Sequence, residues 1–136
     1  MSDFNTQIIE EFRANDGRVG GMFKGVSLLL LHTIGVKSGK ERINPLAYQS
    51  DGDRYVIFAS FAGSPANPAW YHNLVAHPDV TVEVGTDRFP VHARVAEGDE
   101  RDRLWARQKE LVPTFADYQR KTTRPIPVIV LERSER

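Results

Sequence analysis

Residues 35–42, Gly-Val-Lys-Ser-Gly-Lys-Glu-Arg, gather three cations around a Ser-Gly turn. Turn amides beside Lys37, Lys40 and Arg42 suit a phosphate or carboxylate group. A guanidinium can grip two oxygens at once. The spacing is not that of a nucleotide-binding P-loop. It is one residue short, Glu41 stands where a magnesium-binding Ser or Thr would be, and a strand rather than a helix is expected to follow. The same composition also suits an ordinary solvated hairpin.

A second segment, Ala59 to Asn73, ends a strand in small residues and runs straight into a helix start. Small residues let a flat ring approach the backbone, and the first turn of a helix offers free amides to an electron-rich edge. Trp70 within it reads more simply as core. The four histidines, His32, His72, His77 and His92, are scattered without metal-ligand spacing, so no metal site is expected. There is no cysteine, which excludes disulfides, thiolate metal sites and cysteine nucleophiles. No nucleophile elbow accompanies a Ser-His-Asp set either. Redox chemistry, if the chain performs it, must be carried by a bound cofactor.

These residues need elements to position them. Phe4, Ile8, Ile9 and Phe12 fall at helical spacing, which predicts an amphipathic N-terminal helix ended by Asn15-Asp16-Gly17. Its acidic Asp3, Glu10 and Glu11 fit docking on the domain better than peripheral membrane contact. Strands are predicted at Val26–Ile34, Ile43–Ser50, Arg54–Ser60, around Val80–Val84, at Phe89–Ala96 and at Ile126–Glu132. Asp51-Gly52 supplies a hairpin turn. One helix is predicted after Asn67, with Pro68 in its first turn and Trp70, Leu74 and Val75 inward. Another spans Asp99–Leu111, with Leu104, Trp105, Gln108 and Leu111 on one face. Phe115 and Tyr118 then share a short helical turn. About six strands with an N-terminal helix and two further helices make a mainly β (α+β) chain closing into a barrel.

The 136 residues suit a single domain over 1–136, of which 1–20 form the N-terminal helix and its lead-in. Eighteen basic residues balance eighteen acidic ones, so global charge predicts no nucleic-acid or membrane partner. The start lacks a basic, apolar leader, and no apolar run approaches the ~20 residues of a spanning helix. A cytoplasmic protein with no integral membrane segment is expected.

The two chemical segments also carry a likeness. Gly35 to Leu46, Ala-Ser-Phe-Ala-Gly at 59–63 and Asn-Pro-Ala-Trp-Tyr-His-Asn-Leu at 67–74 resemble the deazaflavin (F420)-dependent nitroreductase family. So do His77-Pro78, Tyr118-Gln119 and Arg124 to Val128, in order from about residue 26 to 132. The resemblance implies a split β-barrel of the flavin-binding type and coenzyme F420, a deazaflavin with a phosphate and a glutamate tail. It places Lys37, Ser38 and Arg42 on the acidic part of the cofactor and Leu46 and Ala47 along its path. Ala59, Ser60 and Phe61 would follow the ring system, and Ala69, Trp70, Tyr71 and Asn73 would help close the pocket. Tyr118 would be catalytic, with Val112, Phe115 and Tyr118 facing the acceptor.

A tyrosine hydroxyl can donate to a reduced acceptor, whereas Val112 and Phe115 cannot. That favours a flat quinone over a nitro compound. The implied reaction is hydride transfer from reduced deazaflavin to a small conjugated acceptor. An FMN-binding barrel reductase and a non-catalytic cofactor-binding protein are the alternatives. A homodimer is expected by analogy alone.

Overall fold

The computed structural model describes residues 3–15, 17, 27–59, 68–121 and 126–134, with the side chains of 3–5 and 114 left aside. The expectations for Ser60, Phe61, Asn67, Asp16 and Val26, and for the Phe4 side chain, lie outside them. In chain order come α1 (Asp3–Ala14), β1 (Leu28–Ile34), β2 (Glu41–Ala47), β3 (Gln49–Asp51) and β4 (Arg54–Phe58). There follow α2 (Ala69–Ala76), β5 (Asp79–Val84), β6 (Asp87–Val95), α3 (Gly98–Leu111), α4 (Thr114–Arg120) and β7 (Val128–Arg133).

All strand pairs are antiparallel, in the order β2-β1-β5-β6-β7-β4-β3. β2 and β3 therefore form opposite borders of the sheet, yet only Tyr48 separates them in the chain. A flat sheet cannot satisfy that, so the sheet coils until its borders meet, the shape of a split barrel. Tyr48 sits at this seam, its N–H donating to the Ser27 carbonyl at 3.1 Å and its ring edge-on to Tyr55 at 5.4 Å. Burial there pushes the Tyr48 phenol up from its ordinary value.

Seven strands, not six, are thus present among the described residues. The run expected as one strand over Ile43–Ser50 divides at Tyr48: Ala47 pairs with Leu28 while Gln49 pairs with Val56. A continuous half-buried pattern reads alike whether its two halves share a partner or not.

Pleat alternation sorts the core. Leu29 and Leu31 of β1 point into the barrel with Val82, Val91, Ile57, Ile129 and Leu131, closed at one end by Trp70 and Leu74 of α2. Leu28 and Leu30 point the other way, under Ile8 and Phe12 of α1. On a separate outer face Val56, Phe58, Val128 and Val130 are covered by Leu104 and Trp105 of α3, with Phe115 and Tyr118 of α4 packed against them.

Three local expectations change. Val75 and Leu111 are each 57% exposed. On α2 only the face through Trp70, Asn73 and Leu74 is covered, and Val75 has turned away from it. The last turn of α3 carries Leu111 beyond its covered stretch at Leu104, Trp105 and Gln108. Pro68 precedes α2 in extended conformation instead of occupying its first turn.

Candidate active site

An open cleft of about 1150 Å³ runs beside β2. Its floor is Arg42, Ile43, Asn44 and Pro45; one wall is the β1–β2 turn with Gly35 to Ser38; the other is the start of α2, with Pro68, Ala69 and Trp70. Thr6 and Ile9 of α1, with Glu41, His72 and Asn73, also line it. It is somewhat larger than a usual small-ligand pocket of roughly 300–1,000 Å³.

The turn closes on itself. The Gly35 N–H donates to the Lys40 carbonyl at 2.8 Å, and the Gly39 N–H returns to the Gly35 carbonyl at 2.9 Å. Gly39 has φ of 70°, the left-handed region that a side chain disfavours. Gly35 leaves room for neighbouring side chains: a methyl group there would lie 2.5 Å from Ser38 Oγ and 3.8 Å from Arg42 Nε. Those two side chains therefore converge over its backbone. Ser38 Oγ also accepts from the Lys40 N–H at 3.2 Å.

Charge is distributed unevenly. Among the described residues Arg13, Arg54, Arg94, Arg103 and Arg120 all engage carboxylates. Lys37, Lys40 and Arg42 form no ion pair within that set, and all three are exposed. The turn thus gathers three cations with no ion pair among the described residues, and two of them, Lys37 and Arg42, line the cleft. Such a cluster attracts an anionic ligand whatever the net charge of the chain.

One carboxylate on the cleft wall is tied back. Glu41 Oε2 lies 2.9 Å from Nδ1 of His32, a ring only 4% exposed, whose Nε2 is 2.6 Å from Glu83 Oε2. Arg13 of α1 grips the same Glu83 through two contacts of 3.1 and 2.6 Å. The Arg13 hydrogen bond, aided by His32 and opposed by burial, holds the Glu83 carboxyl below its ordinary value. The chain of contacts joins α1, β5, β1 and β2, and so fixes the helix that supplies Thr6 and Ile9.

Asn73 is 7% exposed. Its Oδ1 accepts from the Val36 N–H at 3.1 Å and its Nδ2 donates to Thr33 Oγ1 at 3.3 Å.

Of the positions expected to hold the cofactor, the cleft brings together Lys37, Ser38, Arg42, Ala69, Trp70 and Asn73. Leu46 and Tyr71 are packed against the barrel core, Ala47 lies under α1, and Ala59 is fully buried. The acceptor-side positions are elsewhere: Phe115 and Tyr118 belong to the outer face under α3 and α4. There Phe115 meets Phe58 at 5.7 Å, Trp105 at 6.1 Å and Tyr118 at 5.2 Å, with Val112 half-buried at the end of α3. Phe58 is the last residue of β4, directly before the segment expected to follow the ring.

Thr6, Ile9, Glu41 and His32 were not legible as site residues. Only the partner strand of β2 and the seat of α1 reveal them, and neither is encoded locally. Gly35 was within reach, since a glycine opening a cationic turn is a signal of close approach.

Comparison with known proteins adds the family context. A family model described as F420H(2)-dependent quinone reductase matches residues 6–133. An F420H(2)-dependent quinone reductase of Mycobacterium tuberculosis is 44% identical over 126 residues, which are 90% of this chain and 85% of that protein. Among solved structures, an F420-H2 dependent reductase (FDR-A) superposes with a TM-score of 0.72 at 41% identity, covering 78% of this chain and 94% of its own. A chain described as a domain-swapped dimer gives 0.74 at 39% identity, with 93% of each chain covered.

Proposed function

The chain belongs to the F420H(2)-dependent quinone reductase family, and from that premise we propose that its cleft holds reduced coenzyme F420 by the acidic tail for hydride transfer to a quinone. The observation that carries this reading is the pair Lys37 and Arg42 lining the cleft, with Lys40 in the same turn, none of them ion-paired among the described residues. The fit to the cofactor is chemical as well as spatial. A phosphate and a glutamate carboxylate need several donors in one place, and the Ser38–Arg42 convergence over Gly35 supplies them.

When bound, the reduced deazaflavin supplies a hydride, and a quinone that takes it up with one proton becomes a hydroquinone. The chain's own part is binding and orientation. Lys37, Ser38 and Arg42 hold the tail, while Ala69 and Trp70 at the start of α2 border the cleft where a flat ring system enters. Ala59, Ser60 and Phe61 are proposed to run along that ring, and Leu46, Ala47 and Tyr71 to back it from the barrel. Tyr118, with Val112 and Phe115, is proposed to face the acceptor. The contact of Phe115 with Phe58, at the end of the strand leading to Ala59, supports that placement. A quinone stacks on Phe115, whereas nitro compounds depend on the single hydroxyl of Tyr118. Nitroreductase activity is accordingly the minor one.

The whole of 1–136 is read as one deazaflavin-binding domain. The relation to a chain described as a domain-swapped dimer supports a homodimer.

The test is direct. Titrating the purified protein into F420 should change the cofactor's fluorescence, and the reduced complex mixed with a menadione-like quinone should be oxidised in a protein-dependent way. Tight FMN binding without F420 binding would move the assignment to a flavin reductase. F420 binding with no oxidation by any quinone would make the protein a carrier.

A further inference from the structure

We propose that Asn73 is a positioning residue rather than a cofactor ligand: its amide clamps the cationic turn to α2 and so sets the distance between tail site and ring site. The inference rests on the function proposed above and deepens it.

Four observations carry it. The side chain is 7% exposed although it borders an open cleft, so little of it is offered to a ligand. Both ends of the amide are already engaged, Oδ1 by the Val36 N–H and Nδ2 by Thr33 Oγ1. A backbone N–H can only donate, so the oxygen must face Val36 and the amide cannot serve in the flipped sense. Finally, the two partners bracket the root of the turn. Thr33 is 1% exposed near the end of β1, and Val36 is the first turn residue after Gly35.

The consequence is geometric. The loop carrying Lys37, Ser38 and Lys40 closes through Gly35–Lys40 and Gly39–Gly35 hydrogen bonds, which shape it but do not aim it. Among the described residues, the Asn73 amide attaches it by a hydrogen bond to the helix that also presents Ala69 and Trp70. A ligand with an anionic tail and a flat ring must satisfy both ends together. An aimed loop spares it the cost of ordering that loop on binding. Removing the clamp should therefore weaken the tail contacts selectively.

The experiment compares two probes, coenzyme F420 and the corresponding deazaflavin lacking phosphate and glutamates, by fluorescence titration. Asn73→Ala should lower affinity for F420 by about tenfold, the effect of one to two neutral hydrogen bonds, and leave the tailless probe within about twofold. Thr33→Val, which removes one bond and keeps the packing, should give a smaller loss of the same selectivity and carries the test if Asn73→Ala does not fold. In the Arg42→Ala background the Asn73→Ala loss should shrink, because both act on the same contacts. Equal loss for both probes, additivity with Arg42→Ala, or no loss at all would overturn the proposal. Hydrogen exchange at the Val36 amide gives an independent readout: slow in the native chain, fast in Asn73→Ala. If the native protein binds no F420, the proposed function falls, and so does Asn73's positioning role. The exchange rate then reports only whether the clamp exists.

Discussion

At the scale of single residues, the site is made by what is left unpaired and by what is tied away. Arg42→Ala is expected to weaken F420 binding by about 1.5–3 kcal/mol, the range for a hydrogen bond to a charged group. A fluorescence titration of the folded variant checks it, and unchanged affinity would remove Arg42 from the site. His32→Leu should destabilise the fold by about 1–3 kcal/mol, because it strips a hydrogen bond from the largely buried Glu83 and from Glu41. Urea unfolding measures that loss. On the proposed acceptor-side placement, Tyr118→Phe should lower turnover of nitro compounds more than of quinones and leave F420 affinity intact, which steady-state kinetics with both acceptors checks. The chemistry of the cationic turn was legible in the sequence because its residue types and spacing are contiguous. The engagement of Asn73 and the covering of Ala59 were not, since both depend on which element lies opposite.

At the scale of elements, charge also fastens helix to sheet. Glu100 of α3 receives Arg94 of β6 at 2.7 Å and Arg54 of β4 at 3.1 Å. The Arg94 hydrogen bond, opposed by burial and aided by Arg54, holds its carboxyl down to about 2 from an ordinary 4.5. A carboxyl depressed in the folded state favours folding above its unfolded value. That stability is lost as pH falls from about 4.5 through about 2. Acid unfolding followed by circular dichroism should therefore steepen in that window, and Glu100→Gln should flatten it. The sequence disclosed the existence and type of nearly every element, because alternation and helical spacing are local properties. It did not disclose the break at Tyr48, where one apolar run serves two borders. Nor did it disclose the exposure of Val75 and Leu111, which depends on where a neighbouring strand ends.

At the scale of the whole molecule, eighteen positive and eighteen negative residues cancel, yet the cleft is locally cationic. Affinity for F420 should fall when salt is raised from about 0.01 to about 1 M, which shortens screening from ~30 to ~3 Å. The tailless deazaflavin should respond little, and equal responses would argue against an anion site at the turn. The barrel's architecture was foreseeable from the turn-linked strands, while the strand order was not. β7 is the last strand in chain order but lies between β6 and β4. Until it is inserted, the ribbon β2-β1-β5-β6 and the hairpin β3-β4 share no strand pairing, and the edges of β6 and β4 that receive β7 stay open. A nascent polypeptide emerging from the ribosome therefore waits for its final stave, and ribosome stalling before residue 128 would present bare edges for misassociation.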